Sequence, residues 1–410
     1  MQPRLLFAAY GGGHIRMLMP VLEHLRRRGD CDLHVLALTT ARPVVEAAGF
    51  RALGFRDIAG PGDAAALEKG RELAMALGQG QIVDMAESAA YLGLSWQELE
   101  RDLGPEQARA RYAAVGRGAF FPLATMHRLL AKLDPDLVVA TNSPRAERAL
   151  VEAADARNIP ALCLGDLFLD FEWEWVAKPG FGRRVGVMSE SVRQHLIDCG
   201  RPAGEIVVTG NPAFDRLGDP AVREAGLALR TALGWTDNPV VAWGMPHIPP
   251  GDTRIALPGP TLAALRALSA ARPDLRFIVR PHPNNTDRLD ELPPAFRLSP
   301  REEDVHAVIH ACDLLVTEIS TVGLEAVLAG KPVITINSRA VIPYAELGIT
   351  REIDHAGQLA DAIVDELARP TPGRLDRLGA PPVGKATPNV IALIDSLLAD
   401  GPVRHGAAAR

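Results

Sequence analysis

The chain has 410 residues, 47% of them hydrophobic, which suits two or three domains with substantial apolar cores. Its formal net charge is −6, so no basic surface field favours nucleic acid as a partner. The four cysteines are scattered without a CxxC pair, which argues against a metal site or a disulfide framework and indicates a reducing, cytoplasmic location.

The N-terminal stretch "RLLFAAYGGGHIRMLMPVLEHLRRRG" predicts a strand, a glycine loop and an amphipathic helix that ends at Gly29. This geometry directs backbone N–H groups and a helix dipole toward the loop, which favours a phosphate or another anion. The alternative is a tight turn that merely needs glycine, and the spacing does not match the dinucleotide fingerprint GxGxxG. The arginines at the end of the helix indicate a solvated helix end, and a peripheral contact with the inner membrane face stays open.

Strands and helices then alternate, as in "DLHVLALTT" followed by "ARPVVEAAG", which predicts a parallel sheet covered on both faces. From about 60 to 133 the pattern gives way to Ala-, Glu- and Arg-rich segments, which we interpret as inserted helices. A second alternating series follows the junction between 212 and 239. We therefore predict two Rossmann-like domains, 1–212 and 213–387, and a C-terminal helix with a disordered tail over 388–410. Ligands are expected at the carboxyl ends of the strands, in the crevice between the halves.

Polar residues follow three of the predicted strands. In "LLVTEISTVGLEAVLAGKPVITI", Ser320 or Thr321 can cap a helix, and Glu325 lies about one turn in, where a carboxylate can bind a ribose diol. In "FIVRPHPNN", Arg280 and His282 at a strand end are suited to clamping a diphosphate. The alternatives are a capped helix with a stray first-turn acid that the helix dipole stabilises, and a turn whose polar groups face water. We also expect Glu325 to be a surface acid that contributes little to stability.

A third stretch, "CLGDLFLDFEWEW", places Asp166 directly after a strand and follows it with aromatic and acidic residues. Aromatic rings and carboxylates together suit the binding of sugar rings. The alternative is a loop that packs its aromatic side chains on the core.

Taken together, these motifs resemble the GT-B superfamily, the two-Rossmann fold of many nucleotide-sugar glycosyltransferases and of UDP-N-acetylglucosamine 2-epimerases. "GGGH" resembles the glycine-rich loop of the N-acetylglucosaminyltransferase that forms lipid II. "RPHP" resembles the HP motif of capsule transferases. "TEISTVGLEAVLAGKPVI" resembles the donor-nucleotide motif found across the superfamily.

The resemblance implies a role for each matched residue. Glu325 would bind the ribose, and Ser320, Thr321 and His282 would lie near the phosphates. Gly12, Gly13 and His14 would face the reacting sugar and the diphosphate. The nucleotide-binding set also includes Arg280 and, in "GMPHIPPGD", Gly244 and His247.

The sequence departs from the 2-epimerase pattern in two places. Asn142 and Ser143 stand where that family has an aspartate, and Thr321 and Val322 replace its paired glycines. Epimerisation through an eliminated intermediate needs bases that remove a proton from carbon, so the missing carboxylate counts against it.

We therefore expect a metal-independent glycosyltransferase without a cofactor, whose partners are a nucleotide-sugar donor and a sugar, lipid-linked or small-molecule acceptor. His14 or Asp166 would be the base. The alternatives are a nucleotide-sugar hydrolase or hydrolysing 2-epimerase, and a non-catalytic nucleotide-sugar-binding subunit.

Overall fold

The computed structural model describes residues 2–77, 83–248, 258–282, 285, 289, 292–339, 341–371 and 375–400. The chain divides into two compact units, one comprising Met1–Ala213 with Ala386–Arg410 and the other Phe214–Lys385. The tail predicted to be disordered, 401–410, lies outside the described residues. Within the described ranges, no helix is both long enough and apolar enough to cross a membrane.

The first unit is built on a parallel sheet with the strand order β3-β2-β1-β4-β5-β6-β7. Its strands are β1 (Arg4–Ala9), β2 (Asp32–Ala37), β3 (Ala52–Leu53), β4 (Leu137–Thr141), β5 (Ala161–Leu164), β6 (Arg184–Val187) and β7 (Ile206–Val208). Its helices before the second unit are α1 (Gly13–Arg28), α2 (Ala41–Ala47), α3 (Ala64–Ala76), α4 (Met85–Leu103), α5 (Pro105–Val115), α6 (Leu123–Leu133), α7 (Ala146–Asp155), α8 (Trp173–Val176) and α9 (Glu190–Asp198).

Helix α1 follows from its apolar periodicity. Ile15, Leu18, Leu22 and Leu25 are all buried against the sheet, because residues three and four apart share one helix face. The helix ends at Gly29, whose φ of 75° is the left-handed conformation that glycine adopts most readily. The predicted strand, glycine loop and helix are therefore confirmed.

The second unit has its own parallel sheet, with the strand order β10-β9-β8-β11-β12-β13. Its strands are β8 (Val240–Met245), β9 (Arg276–Pro281), β10 (Phe296–Leu298), β11 (Leu314–Thr317), β12 (Val333–Ile336) and β13 (Arg351–Ile353). Its helices are α10 (Pro220–Ala232), α11 (Pro258–Ala271), α12 (Val305–Ala311), α13 (Val322–Leu328), α14 (Leu359–Ala368) and α15 (Leu375–Leu378).

The last helix, α16 (Ala386–Ala399), belongs to the first unit. Val390, Ile394 and Leu397 are buried in the same core cluster as the apolar face of α1. The chain therefore returns to its first unit after completing the second.

Each sheet has a point at which the strand order reverses. In the first unit this point lies between β1 and β4, and in the second between β8 and β11. The connections that leave two such neighbouring strands run to opposite faces of the sheet, which opens a crevice at their carboxyl ends. These two sheet edges are therefore the places to look for functional side chains.

Candidate functional site

In the first unit, the crevice between β1 and β4 holds a histidine. His14 lies in the first turn of α1, which follows β1, and Thr141 is the last residue of β4. The two side chains meet there, with 2.8 Å between His14 Nδ1 and Thr141 Oγ1. The His14 side chain keeps a fifth of its surface exposed, so the ring is held on one side and open on another.

Behind this pair lies Glu147, in the first turn of α7 and fully buried. Its Oε1 accepts hydrogen bonds from the Thr141 hydroxyl and, at 2.8 Å, from the Tyr10 backbone N–H. A carboxylate can only accept, so Thr141 must donate to Glu147 and can only accept from His14. This fixes the proton of His14 on Nδ1 and leaves Nε2 with a free lone pair.

Asp166 lies on the other side of the imidazole, just after β5. Its Oδ2 is 3.6 Å from His14 Nε2. Asn142 holds Asp166 twice, donating to its Oδ1 at 3.3 Å and accepting from its backbone N–H at 3.2 Å. Asn211 adds a 2.6 Å hydrogen bond to the Asp166 carbonyl. The two residues predicted as candidate bases, His14 and Asp166, thus lie next to each other.

The glycine loop before His14 contains three different kinds of position. A Cβ on Gly11 would lie 1.6 Å from Thr40 Oγ1, so this residue allows two loops to approach. Gly12 has a φ of 70° and open space around it, whereas Gly13 has open space and no such backbone requirement. Gly12 and Gly13 are both exposed, so space beside both is available to a ligand.

The aromatic stretch after Asp166 divides in two. Phe168 and Trp175 are buried, as the packing alternative predicted, whereas Phe171 and Trp173 are exposed. Burial raises the pKa of Glu172 between them, and the nearby charge of Asp166 adds to that effect.

In the second unit, Gly244 on β8 lies opposite Thr317 on β11, and the Thr317 hydroxyl donates to the Gly244 carbonyl at 2.8 Å. A Cβ on Gly244 would lie only 2.4 Å from Val322 Cγ1. The structure therefore accounts for this glycine by the packing of α13 against the sheet.

The loop between β11 and α13 holds Ser320 and Thr321. Ser320 Oγ accepts from the Val322 N–H at 3.4 Å, whereas the Thr321 side chain makes no cap hydrogen bond. Tyr344, which is buried, donates to the Ser320 carbonyl at 3.2 Å and accepts from the Leu324 N–H at 3.3 Å. The Tyr344 hydroxyl therefore holds this loop in place through two backbone hydrogen bonds.

Glu325 is not a surface residue, so the predicted first-turn surface acid is wrong. Its side chain is 13% exposed, and its Oε2 lies 2.9 Å from Nε2 of His306 on α12. His306 Nδ1 is buried without a hydrogen-bond partner among the described residues. Glu325 therefore contributes to the packing of α12 against α13 in addition to any role in binding.

His282 follows β9 and stacks on His247, with ring centroids 5.8 Å apart and planes at 24°. The His282 N–H donates to the Met245 carbonyl at 3.0 Å, which fixes the loop beside β8. Burial lowers the pKa of His282, and His247 lowers it further, so the imidazole is neutral at pH 7. A neutral imidazole can donate one hydrogen bond, and it gains a charge if an anion binds.

Arg280 lies at the end of β9, and its guanidinium binds the loop after β10. It donates to Ser299 Oγ at 3.0 Å, to the Pro300 carbonyl and to the Arg301 carbonyl at 3.1 Å. A role for Arg280 in binding a diphosphate stays a prediction, because those loop partners would first have to be exchanged.

Glu318 is a buried carboxyl group at the same sheet edge that the sequence analysis did not single out. It accepts from Trp243 Nε1 at 3.2 Å and from Thr261 Oγ1 at 2.7 Å. Burial raises the pKa of Glu318 to about 7, so its protonation changes near neutral pH.

No protein-family profile and no curated protein sequence matches the chain. Solved structures do match: the UDP-GlcNAc 2-epimerase of Neisseria meningitidis, bound to UDP-GlcNAc, is similar over 96% of this chain and 100% of that chain, at 14% identity and a TM-score of 0.61. The enzyme of the same name from Methanocaldococcus jannaschii is similar over 96% and 99%, at 14% identity and a TM-score of 0.59. The fold is GT-B.

The GT-B likeness extends to Anabaena HepE, solved with UDP and glucose, over 97% of this chain and 100% of that chain, at 15% identity and a TM-score of 0.50. At such identities it establishes the fold and leaves the reaction open. The predicted pair of Rossmann-like halves is confirmed as a GT-B architecture, each half with its crevice at a point of strand reversal.

Within this GT-B fold, Thr141 and Glu147 are the residues that sequence reasoning missed. Glu147 stands in "PRAERALVEAADARN", where it belongs to a regular helical pattern. The one available signal was its position in the first turn of a helix that directly follows a buried strand. A search of the described residues finds no group of three or more His, Cys, Asp and Glu side chains placed to hold a metal ion.

Proposed function

We propose that this protein is a glycosyltransferase that moves a sugar from a nucleotide-sugar donor to an acceptor hydroxyl. In the proposed step the acceptor oxygen forms a bond to the anomeric carbon, and the bond from that carbon to the diphosphate oxygen breaks. The acceptor proton passes to His14 Nε2, and the electron pair leaves with the nucleoside diphosphate. The bonds, electrons and proton of this step therefore balance without an oxidant or a resident cofactor.

The observation that carries this proposal is the chain from Glu147 through Thr141 to His14. It holds the neutral imidazole in the tautomer whose Nε2 is the nitrogen that can take a proton, as the proposed step requires. Once Nε2 is protonated, Asp166 at 3.6 Å and the buried Glu147 stabilise the cation from both sides.

Donor binding is proposed for the crevice of the second unit. Ser320 and Thr321 offer hydroxyls, and Glu325 offers a carboxylate to the ribose. His247 and His282 stack on each other just after β8 and β9. The UDP and UDP-GlcNAc bound to proteins of the same fold support the choice of a nucleotide sugar. In the proposed reaction the leaving charge is met by His282 and by the hydroxyls of Ser320 and Thr321, without a metal ion.

The test is incubation with UDP-, CMP-, GDP- and dTDP-sugars, with and without a pool of sugar, lipid-linked and phenolic acceptors. The proposal expects nucleotide release that requires both a donor and an acceptor and that persists in EDTA. Release without acceptor would instead establish a hydrolase. Exchange of the sugar's C2 proton with D₂O would establish an epimerase, and tight binding without turnover would establish a non-catalytic subunit.

A further inference from the structure

Beside Glu147, the first unit contains a cavity of about 430 Å³. This size lies within the ~300–1,000 Å³ of small-molecule sites. Leu38, Phe55, Tyr91 and Leu92 contribute apolar and aromatic walls. Phe55 and Tyr91 contact each other edge to face, with ring centroids 5.0 Å apart. Walls of this kind favour a flat apolar group, because they offer ring surface and few hydrogen bonds.

Two polar atoms at this cavity have no hydrogen-bond partner in the described part of the chain. They are Oε2 of Glu147 and Oγ1 of Thr39, both almost without exposed surface and both on lining residues. Thr39 also has a φ of 47°, which is rare outside glycine. An unpaired buried carboxylate oxygen is costly, so a ligand that donates a hydrogen bond to Glu147 would be favoured.

Two cations, Arg117 and Arg145, also line the cavity, and so does a second carboxylate, Glu87, which accepts hydrogen bonds from the Phe55 and Arg56 backbone N–H groups. Among the described residues, neither guanidinium forms an ion pair with a carboxylate, and that of Arg145 lies over the Tyr10 ring at 5.3 Å. Both are close to Tyr91, since burial raises the pKa of this phenol while Arg145 and Arg117 oppose that rise. Two cations that form no ion pair within the described ranges, beside an aromatic wall, are suited to an anionic group.

We infer that this cavity binds the acceptor, and that the acceptor is a hydroxylated aromatic acid. Its rings would lie between Leu38 and Tyr91, its acidic group would meet Arg117 and Arg145, and its hydroxyl would donate to Glu147 Oε2. The cavity site stands on its own geometry, whereas its assignment to the acceptor rests on the proposed function. Glu147 Oε1 is linked through Thr141 to His14, the proposed base. A ligand bound to Glu147 Oε2 would therefore lie close to His14.

The probe is 3-hydroxy-2-naphthoate, and its binding is measured by calorimetry without any donor. The matched compounds are 2-naphthol, which lacks the acid, 2-naphthoate, which lacks the hydroxyl, and methyl glucoside, which lacks the rings. The inference expects binding of the hydroxynaphthoate and about tenfold weaker binding after loss of either polar group. It is overturned if none of the ring compounds binds, or if the glucoside binds more tightly than they do.

The charge is tested with Arg145→Met. The matched control is Arg148→Met, three residues further along the chain, because Arg148 pairs with Glu152 and does not line the cavity. Arg145→Met should weaken hydroxynaphthoate about tenfold and leave naphthol unchanged, whereas Arg148→Met should change neither. Equal losses for both ligands, or in both variants, would contradict the anionic assignment.

The location is tested with Ser88→Leu, which adds apolar volume at a lining residue on α4. Hydroxynaphthoate binding should be lost while nucleotide binding persists. If the binding survives in a folded variant, the site is elsewhere. These binding measurements use no donor, so they can support the cavity site even if the protein is not a transferase. Conversely, acceptor-dependent nucleotide release from the nucleotide sugars can support the transferase proposal even if hydroxynaphthoate does not bind.

Discussion

His14 and Glu147 are joined through one hydroxyl: Thr141 lies 2.8 Å from His14 Nδ1 and donates to Glu147 Oε1. The direct separation between His14 Nδ1 and that carboxylate oxygen is 3.7 Å. Because its hydroxyl proton is committed to the buried carboxylate, the threonine can only accept from the imidazole, and it thereby sets which ring nitrogen carries the proton.

Replacing Thr141 by valine removes this link at nearly constant volume. We expect turnover to fall by up to the ~10²–10⁴-fold that a general base contributes, with donor affinity retained. The matched control is Thr125→Val, because Thr125 also donates to a buried carboxylate of the same unit, Glu98, at 2.5 Å. Steady-state kinetics of both variants, each normalised to folded protein, is the measurement. Equal losses per folded molecule in the two would show that Thr141 has no specific effect on His14.

The glycines before His14 should respond differently to alanine. Gly12→Ala forces a Cβ onto a residue with a φ of 70°, so the free energy of unfolding should fall by about 1–3 kcal/mol. Gly13→Ala meets open space and no such strain, so its melting temperature should stay unchanged. If backbone must approach the donor there, Gly13→Ala should still weaken donor turnover. Normal turnover in a stable Gly13→Ala protein would remove Gly13 from the site.

Glu325 has a structural partner, so its binding role needs a variant that keeps that partner. Glu325→Gln retains a carbonyl that can accept from His306, and it should stay stable while losing about 1.5–3 kcal/mol of nucleotide binding energy. His306→Asn disturbs the same contact from the other side, and it should lower the melting temperature more than the nucleotide affinity. Calorimetric affinity equal to wild type in Glu325→Gln would exclude the ribose contact.

Binding of a nucleoside diphosphate should be accompanied by proton uptake. Burial and His247 lower the pKa of His282 below its ordinary value, so the free protein holds it neutral at pH 7. A nearby diphosphate favours the charged imidazolium, which raises that pKa and draws a proton from solution. Calorimetry in buffers of different ionisation enthalpy measures the uptake. His282→Asn should abolish it, and uptake that persists in this variant would assign the proton to another group.

The fold could be predicted because its signals are local. Alternating strands and helices, and the buried face of α1, follow from the order of apolar residues along the chain. His14 could be named because it ends the glycine loop after one predicted strand, and Asp166 because it directly follows another, and parallel strands bring their carboxyl ends to one sheet edge.

The remaining site features depend on distant partners. Glu147 reads as one more residue of a regular helix, and only the pairing of β1 with β4 brings it to His14. Glu325 is buried because α12, which lies earlier in the chain, places His306 against it. Position 244 is a glycine because Val322 from α13 occupies the space a side chain would need, and its role in ligand binding stays a prediction. No local sequence pattern indicates such contacts, because the two partners lie far apart in the chain.

The central claim is that His14 takes the proton of the acceptor. The direct measurement is the pH–rate profile of acceptor-dependent nucleotide release for wild type and His14→Asn, since asparagine can donate and accept hydrogen bonds but cannot take up a proton. We predict that His14→Asn lowers turnover by ~10²–10⁴-fold and removes the acidic limb of the profile. Near-normal turnover with an unaltered acidic limb would contradict the claim and leave Asp166 as the base.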